Sequence, residues 1–268
     1  MNCKISFIGC GNMGFALMSA ASRVLPAENI FITDTDIKKA QNAEASIGAK
    51  ILHSNIDAAA SGDFIFLAVK PQILTQVLNE IAPYVKSRQT APVVVSMAAG
   101  WPISKIQSLL GENTPVARIM PNTPALIGKG MIALSASQEV SVQKIEELEE
   151  LLGGAGIVDS IDEHYMDAVT GLSGSGPAFV YLFIEALADG AVRSGMPRDK
   201  ALLYASQTVT GAAAMVQETG KHPGELKDMV TSPGGTTIAG IAALEDGAFR
   251  STVMKAVEAS WKRSKELG

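Results

Sequence analysis

The run Gly9-Cys10-Gly11-Asn12-Met13-Gly14 constrains this chain more than any other feature, because it follows a short apolar strand and opens a helix near the start of the sequence. Each glycine in such a G-x-G-x-x-G turn has its own task. Gly9 permits the tight turn, Gly11 lets backbone approach a pyrophosphate with no Cβ in the way, and Gly14 lets the helix lie close to the sheet. The helix N-terminus then offers N–H groups and a favourable dipole to phosphates. An acidic residue, Asp34, closes the second strand about 20 residues beyond Gly14, at the distance where such folds meet an adenosine ribose. Together these residues predict a dinucleotide site, in preference to a merely tight strand-to-helix turn.

The pattern around the turn agrees. Up to about residue 161, β-rich runs alternate with helical patterns: Lys4 to Ile8, Asn29 to Asp34, Lys50 to Leu52, Phe64 to Val69, Val93 to Met97 and Val116 to Met120. Several are apolar on consecutive positions, as strands covered on both faces should be. Met131 to Leu134 and Ile157 to Ser160 flank an acidic helix from Val142 to Leu152 and extend the sheet. After Ile161 the β-signals vanish. Long Ala-, Leu- and Met-rich helices follow, as over Phe179 to Ala191 and Lys200 to Gln217, with breaks at Gly176-Pro177, Met196-Pro197, His222-Pro223 and Ser232-Pro233. The reading is α/β: a Rossmann-type N-terminal domain with a mostly parallel sheet (1–161), followed by an all-α C-terminal domain (162–268). That helical domain is too apolar on too many faces to bury itself, so two chains are expected to pack it together as a dimer.

Charge and composition narrow the partners. A net charge of -5, with Lys and Arg scattered, provides no basic stripe for a phosphate backbone, so nucleic acid is not expected as a partner. The apolar strand Phe64 to Val69 is far shorter than the roughly 20 residues of a membrane helix, and no membrane partner is expected. Two cysteines on one element, Cys3 and Cys10, read as reduced thiols, and together with the lack of a signal-peptide pattern they suggest a cytoplasmic protein. The three histidines, His53, His164 and His222, have no metal-ligand spacing, so no metal is expected. His164 and His222 read as helix-end residues.

Three further stretches are too polar and glycine-rich for packing alone: Met120-Pro121-Asn122-Thr123-Pro124, Leu172-Ser173-Gly174-Ser175-Gly176-Pro177-Ala178, and Val230-Thr231-Ser232-Pro233-Gly234-Gly235-Thr236-Thr237. In the last, backbone N–H groups at a new helix start stand beside two hydroxyls, which suits an anion. A plain Gly-Pro helix break with a Thr cap explains it as well. With the N-terminal fingerprint, with Ala68-Val69-Lys70-Pro71 at the end of the fourth strand, with Ala98-Ala99-Gly100 and with His222-Pro223-Gly224, these segments resemble the pyrroline-5-carboxylate reductase family end to end. The resemblance implies a helical dimerisation domain interlocked between two subunits, with larger rings of dimers in some members. It also implies that Ser232 to Thr237 hold the substrate and that Ala68 to Pro71 line the cofactor.

Reduction of a cyclic imine needs a hydride donor, a grip on the carboxylate and a hydrogen-bond partner for the ring nitrogen. Orientation and electrostatics supply most of the rate, so no triad or carboxylate pair is required. The expected substrate contacts are Ser173, Ser175, Ser232, Gly234, Gly235, Thr236 and Thr237. The N–H groups of Gly234, Gly235 and Thr236 take the carboxylate, and the Thr237 hydroxyl, the catalytic candidate, bonds the ring nitrogen. The expected cofactor contacts are Gly9, Gly11, Asn12, Met13, Gly14, Asp34, Ala68, Val69, Lys70, Pro71, Ala98 and Asn122, with Asn122 on the nicotinamide amide and Lys70 reaching in from its loop. Asp34 favours NAD, whereas Lys38 and Lys39 a turn later could meet the 2'-phosphate of NADP, so both cofactors stay open. Met229 stands where some family members carry a polar residue. Two rival readings fit the same residues: a reductase of another small imino or keto acid on the same plan, and a non-catalytic dinucleotide-binding sensor.

Overall fold

The structure is a computed structural model and describes residues 3–267. Its eight strands form one sheet in the order β3-β2-β1-β4-β5-β6-β7-β8. They are β1 (Ile5–Ile8), β2 (Ile30–Thr33), β3 (Lys50–Ile51), β4 (Phe64–Leu67), β5 (Val93–Ser96), β6 (Val116–Met120), β7 (Gly130–Ala136) and β8 (Gly156–Ser160). All neighbours pair in parallel except β6 and β7, which run antiparallel.

Alternation along each strand sends successive side chains to opposite faces, and both faces are covered. Phe7, Ile32, Phe66, Val95 and Ile119 pack with α1 (Asn12–Ala21), α2 (Ile37–Ile47) and α6 (Val142–Gly153). Ile8, Ile65, Leu67, Val94 and Val116 pack with α3 (Asn55–Ser61), α4 (Pro71–Ser87) and α5 (Ile103–Leu110). This two-sided covering is why β1, β4 and β5 are buried at every position. On β1 and β4, Phe7 and Phe66 lie in register and stack at 4.3 Å, a cross-strand pair at the centre of the sheet. The strand order reverses between β1 and β4, so the carboxyl ends of these two strands form the crevice where ligands bind in open α/β sheets.

After β8 come α7 (Met166–Val169), a π turn at Thr170–Gly174, α8 (Gly176–Arg193), α9 (Arg198–Thr219), α10 (Pro223–Met229), α11 (Thr236–Asp246) and α12 (Phe249–Leu267). Strands end at Ser160, as the sequence suggested, but packing divides the chain elsewhere. One compact unit takes in the chain up to Ser175 together with the chain from Ala259 onward, and the second is Gly176–Glu258. Residues 162–175, helical though they are, pack with the sheet: Met166 and Val169 join Met120 and Ala133 in one apolar cluster, and polar side chains on β6 and the loop after it also hold the segment, as described below.

The second unit has little core of its own. Its buried side chains are three alanines, Ala188, Ala201 and Ala205, while Tyr181, Leu182, Leu203, Tyr204 and Met254 are more than half exposed. Exposed apolar surface on this scale marks an interaction face. The stretch Glu163–Arg193 is also long and apolar enough to cross a membrane by length and composition, with 11% of its most apolar window buried.

Candidate active site

In the first unit the glycine turn is built as its sequence requires. Gly9 has φ +105°, and a Cβ there would lie 2.5 Å from the Ala68 carbonyl oxygen. A Cβ on Gly14 would lie 2.7 Å from the Gly9 carbonyl oxygen and 2.9 Å from the Ala68 Cβ. Both glycines therefore exist for close approach between the turn, α1 and the end of β4. Gly11 differs. It is the N-cap of α1 in an extended conformation, no side chain caps the helix, and a Cβ on it would meet nothing within 4 Å. The open space before Gly11 and the uncapped first-turn N–H groups of Asn12, Met13 and Gly14 suit a pyrophosphate, so the turn fits a dinucleotide.

The end of β2 is stitched to this turn. Gly9 donates its N–H to the Thr33 carbonyl at 2.8 Å, and Cys10 donates its N–H to Asp34 Oδ2 at 2.6 Å. Asp34 Oδ1 accepts the Asp36 N–H at 2.8 Å. Asp36 in turn caps α2 through the Lys38 N–H and pairs with Lys39 Nζ at 3.4 Å. Burial pushes the Cys10 thiol up to about 12 and the Cys3 thiol up to about 11, so neither is a nucleophile.

Ala68, Val69 and Lys70 form a short loop after β4, bent at Val69. Pro71 is the first residue of α4, where its missing N–H costs nothing, and Lys70 is its exposed N-cap. Ala98 is buried in the turn after β5 and hydrogen-bonds Ser96 Oγ through its N–H.

Asn122 follows β6 in a 3-10 turn entry, and its side chain is committed inside the protein. Its Nδ2 donates to the Ser173 carbonyl at 3.1 Å and to Ser173 Oγ at 3.3 Å, while its Oδ1 accepts the Met131 N–H at 2.9 Å. Three of its four hydrogen-bonding positions are thus in use. Ser173 and Ser175 lie half-buried in and beside the π turn, with the Ser175 N–H donating to Thr170 at 2.9 Å.

Sequence reasoning missed a second tie on the same strand. Arg118, buried in the middle of β6, pairs through Nη1 with Glu163 at 3.2 Å and through Nη2 with Asp167 at 3.7 Å. Glu163 Oε1 also accepts the Ile103 N–H at 2.7 Å, and Asp167 Oδ1 accepts the Ser264 hydroxyl from α12 at 2.8 Å. The signal was available in Val116-Ala117-Arg118-Ile119-Met120, because a cation in a strand buried at every position must find carboxylates.

In the second unit, α11 begins at Thr236 with Gly235 as an extended N-cap and no side-chain cap. Gly234 has φ +67°, and the Gly235 N–H donates to the Ser232 carbonyl at 3.1 Å. The Gly235 N–H is therefore spent within the turn, a difference from the expected trio, which leaves Gly234 and the first-turn N–H groups of Thr236 and Thr237 as the candidates. A Cβ on Gly235 would collide with Ser232 Oγ, which explains the second glycine. Ser232, Gly234 and Thr236 are exposed and Thr237 is half-buried, so the turn is accessible within its own unit. The Thr231 hydroxyl is taken by the Lys227 carbonyl at 2.6 Å, and Met229 is exposed. His222 caps α10, accepting the Gly224 N–H at 3.0 Å. His164 sits exposed beside Asp162, whose carboxyl is held below its usual range by hydrogen bonds from the His164 backbone and side chain. Among the described residues there is no cluster able to hold a metal ion.

Residues 163–267 match the family described as pyrroline-5-carboxylate reductase dimerisation, and residues 4–100 match the family described as NADP oxidoreductase coenzyme F420-dependent. The chain is 45% identical to a pyrroline-5-carboxylate reductase of Glycine max, covering 98% of this chain and 95% of that one. It is 41% identical to the Escherichia coli enzyme of the same name, covering 100% and 99%. Among solved structures, the pyrroline carboxylate reductase of Plasmodium falciparum with NADP bound superposes with a TM-score of 0.90 at 34% identity, covering 100% of this chain and 98% of that one. The Coxiella burnetii pyrroline-5-carboxylate reductase does so with a TM-score of 0.92 at 32% identity, covering 100% and 99%.

Proposed function

The chain belongs to the pyrroline-5-carboxylate reductase family, and from that premise we infer that it reduces the C=N bond of 1-pyrroline-5-carboxylate to give L-proline, with NADH or NADPH as donor. The observation that carries this reading is the end-to-end correspondence with enzymes of that name, which spans both compact units. One substrate, one reduced nicotinamide and one proton give proline and the oxidised cofactor. The cofactor supplies the hydride when bound.

The protein's own residues bind and orient. The α1 N-terminus and Gly11 take the pyrophosphate, and Ala68 to Pro71 with Ala98 border the same carboxyl edge of the sheet. In the second unit the N–H groups of Gly234, Thr236 and Thr237 grip the substrate carboxylate, an anion at a helix start. The Thr237 hydroxyl bonds the ring nitrogen, and the iminium form of the substrate is already a strong electrophile, so positioning supplies most of the acceleration. Asn122 holds the Ser173 turn in place, which we give as its role instead of a nicotinamide contact. Ser173 and Ser175 shape the substrate side.

The exposed apolar helices of the second unit are the surface a second copy covers, so the working form is a homodimer or a ring of dimers. That covering also accounts for the apolar stretch Glu163–Arg193 without a membrane, since Asp167 within it is ion-paired to Arg118. We place the protein in the cytoplasm, in proline biosynthesis, with no nucleic-acid partner at a net charge of -5. The test is a substrate panel. Oxidation of reduced nicotinamide with 1-pyrroline-5-carboxylate and none with open-chain 2-keto or 3-hydroxy acids supports the reading. Turnover of the open-chain acids, or cofactor binding with no turnover of anything, overturns it.

A further inference from the structure

We propose that the cavity beside Arg118 is a binding site for a small carboxylate, whose oxygens dock on the guanidinium edge that the protein's own residues leave without a partner. The cavity has a volume of about 340 Å³, and its walls are Gly100, Pro102, Arg118, Asp167, Ser264 and Lys265, all within the unit that contains the sheet. That is room for a small molecule. No residue assigned above to cofactor or substrate lines it. Arg118 is its buried wall, 4% exposed, and Lys265 its exposed one. Among the described residues, Arg118 alone has buried side-chain donors with no hydrogen-bond partner, at Nε and Nη2. Burying unpaired donors costs more on a charged group than on a neutral one, so an acceptor in the cavity is favoured.

The place of those donors selects the ligand. In a guanidinium, Nε–H and the nearer N–H of Nη2 run parallel along one edge, a fork that matches both oxygens of a carboxylate. Nη1 lies off that edge and donates to Glu163 at 3.2 Å. Asp167, the carboxylate in the wall, does not fill the fork. Its Oδ1 stands 3.7 Å from Nη2, outside hydrogen-bond range, and accepts the Ser264 hydroxyl at 2.8 Å. Charge points the same way, since Arg118 and Lys265 face the cavity against Asp167 alone while Glu163 is not in its wall. A planar two-oxygen anion suits this edge better than chloride, which offers a single centre. Under the reading given above, the substrate and the product of the reaction both carry a carboxylate, as do unrelated small acids, and the experiment separates these sources.

The chain's two tryptophans report on the cavity. Trp101 lies buried between Gly100 and Pro102, and Lys265 Nζ sits 4.1 Å from the centre of the Trp261 ring. Tryptophan fluorescence of the full-length protein is therefore followed during titration with sodium acetate, sodium succinate and L-proline, with ionic strength held constant by sodium chloride. A saturable change with acetate and succinate is expected. Arg118→Lys keeps the positive charge and loses the fork, so it should weaken that binding by about tenfold or more. Lys265→Ala, at an exposed position, should weaken it several-fold and decides the matter where Arg118→Lys fails to fold. A response to L-proline alone, with the same dependence on both side chains, upholds the site and names the product as its source. No saturable change with any carboxylate, an equal change with chloride, or wild-type affinity in the variants overturns the inference. The readout needs neither cofactor nor turnover, so its failure is distinct from failure of the reductase reading.

Discussion

Two glycines two residues apart should fail in opposite ways when each gains a single methyl group. Gly9→Ala places a Cβ at φ +105°, 2.5 Å from the Ala68 carbonyl oxygen and 2.8 Å from its carbon. The strained backbone costs about 1–3 kcal/mol. Overpacking against main chain that is itself tied to β1 through the Ala68 N–H at 2.9 Å adds about 1–3 kcal/mol. A loss of about 2–6 kcal/mol is a large part of a total that is usually about 5–15 kcal/mol. Gly11→Ala meets no such obstacle, since φ is -66° and the added Cβ touches nothing within 4 Å. Alanine is the poorer N-cap by about 0.5–1 kcal/mol, and reduced freedom of the unfolded chain returns about 0.4–1 kcal/mol, so stability should stay within about 0.5 kcal/mol of wild type. In the proposed site its methyl group would stand in the path of the pyrophosphate, so cofactor affinity should fall by about tenfold or more, roughly 1.4 kcal/mol. Urea denaturation and cofactor titration of the same two proteins separate the effects. A Gly9→Ala protein as stable as wild type, or a Gly11→Ala protein with unchanged cofactor affinity, would refute the reasoning.

Further outcomes concern the substrate turn, the buried cation and the thiols. If the Thr237 hydroxyl bonds the ring nitrogen as we propose, Thr237→Ala should lower kcat/KM by roughly 10–100-fold while Thr237→Ser, which keeps the hydroxyl, keeps most of it; steady-state rates of both variants decide. Arg118→Met should cost about 2–3 kcal/mol in urea denaturation, below the usual figure of about 3–5 for a broken buried pair because Glu163 and Asp167 are partly exposed and keep the Ile103 N–H and the Ser264 hydroxyl as partners. A midpoint equal to wild type would remove the tie we assign to it. Cys3 and Cys10 should resist alkylation in the native protein near neutral pH and react once it is unfolded. Their folded values, about 11 and about 12, lie above the ordinary 9.0, so the neutral thiol is the form the fold favours. Stability should then be unaffected by them below about pH 9 and fall as pH rises from there toward 11 and 12, which denaturation at stepped alkaline pH, with and without both cysteines replaced by Ala, will read.

Much of this was legible before any coordinates. Strands buried on both faces declare themselves as continuous apolar runs, so β1, β4, β5 and β6 stand where Val, Ile and Phe cluster. The glycine turn was legible for a similar reason, as backbone conformation and close approach restrict those positions to one residue type. What the sequence did not disclose depends on partners far along the chain. Arg118 looks like an anomaly in an apolar strand until Glu163 and Asp167 arrive from 45 and more residues away. Asn122 reads as a free amide until Ser173, 51 residues on, and Met131 claim it. The compact sheet unit runs on to Ser175, past the point where the strands cease, and Arg118 and Asn122 make two of the contacts to that segment. The spent Gly235 N–H is a matter of turn geometry around Gly234, which residue types alone leave open.

Transfer of deuterium from nicotinamide labelled at its hydride-donating carbon tests the central claim most directly. With 1-pyrroline-5-carboxylate as acceptor, the account predicts one deuterium per proline formed, on the ring carbon that was double-bonded to nitrogen, and one labelled cofactor consumed for each. Cofactor that binds yet is never consumed, or proline carrying no label at that carbon, would contradict it.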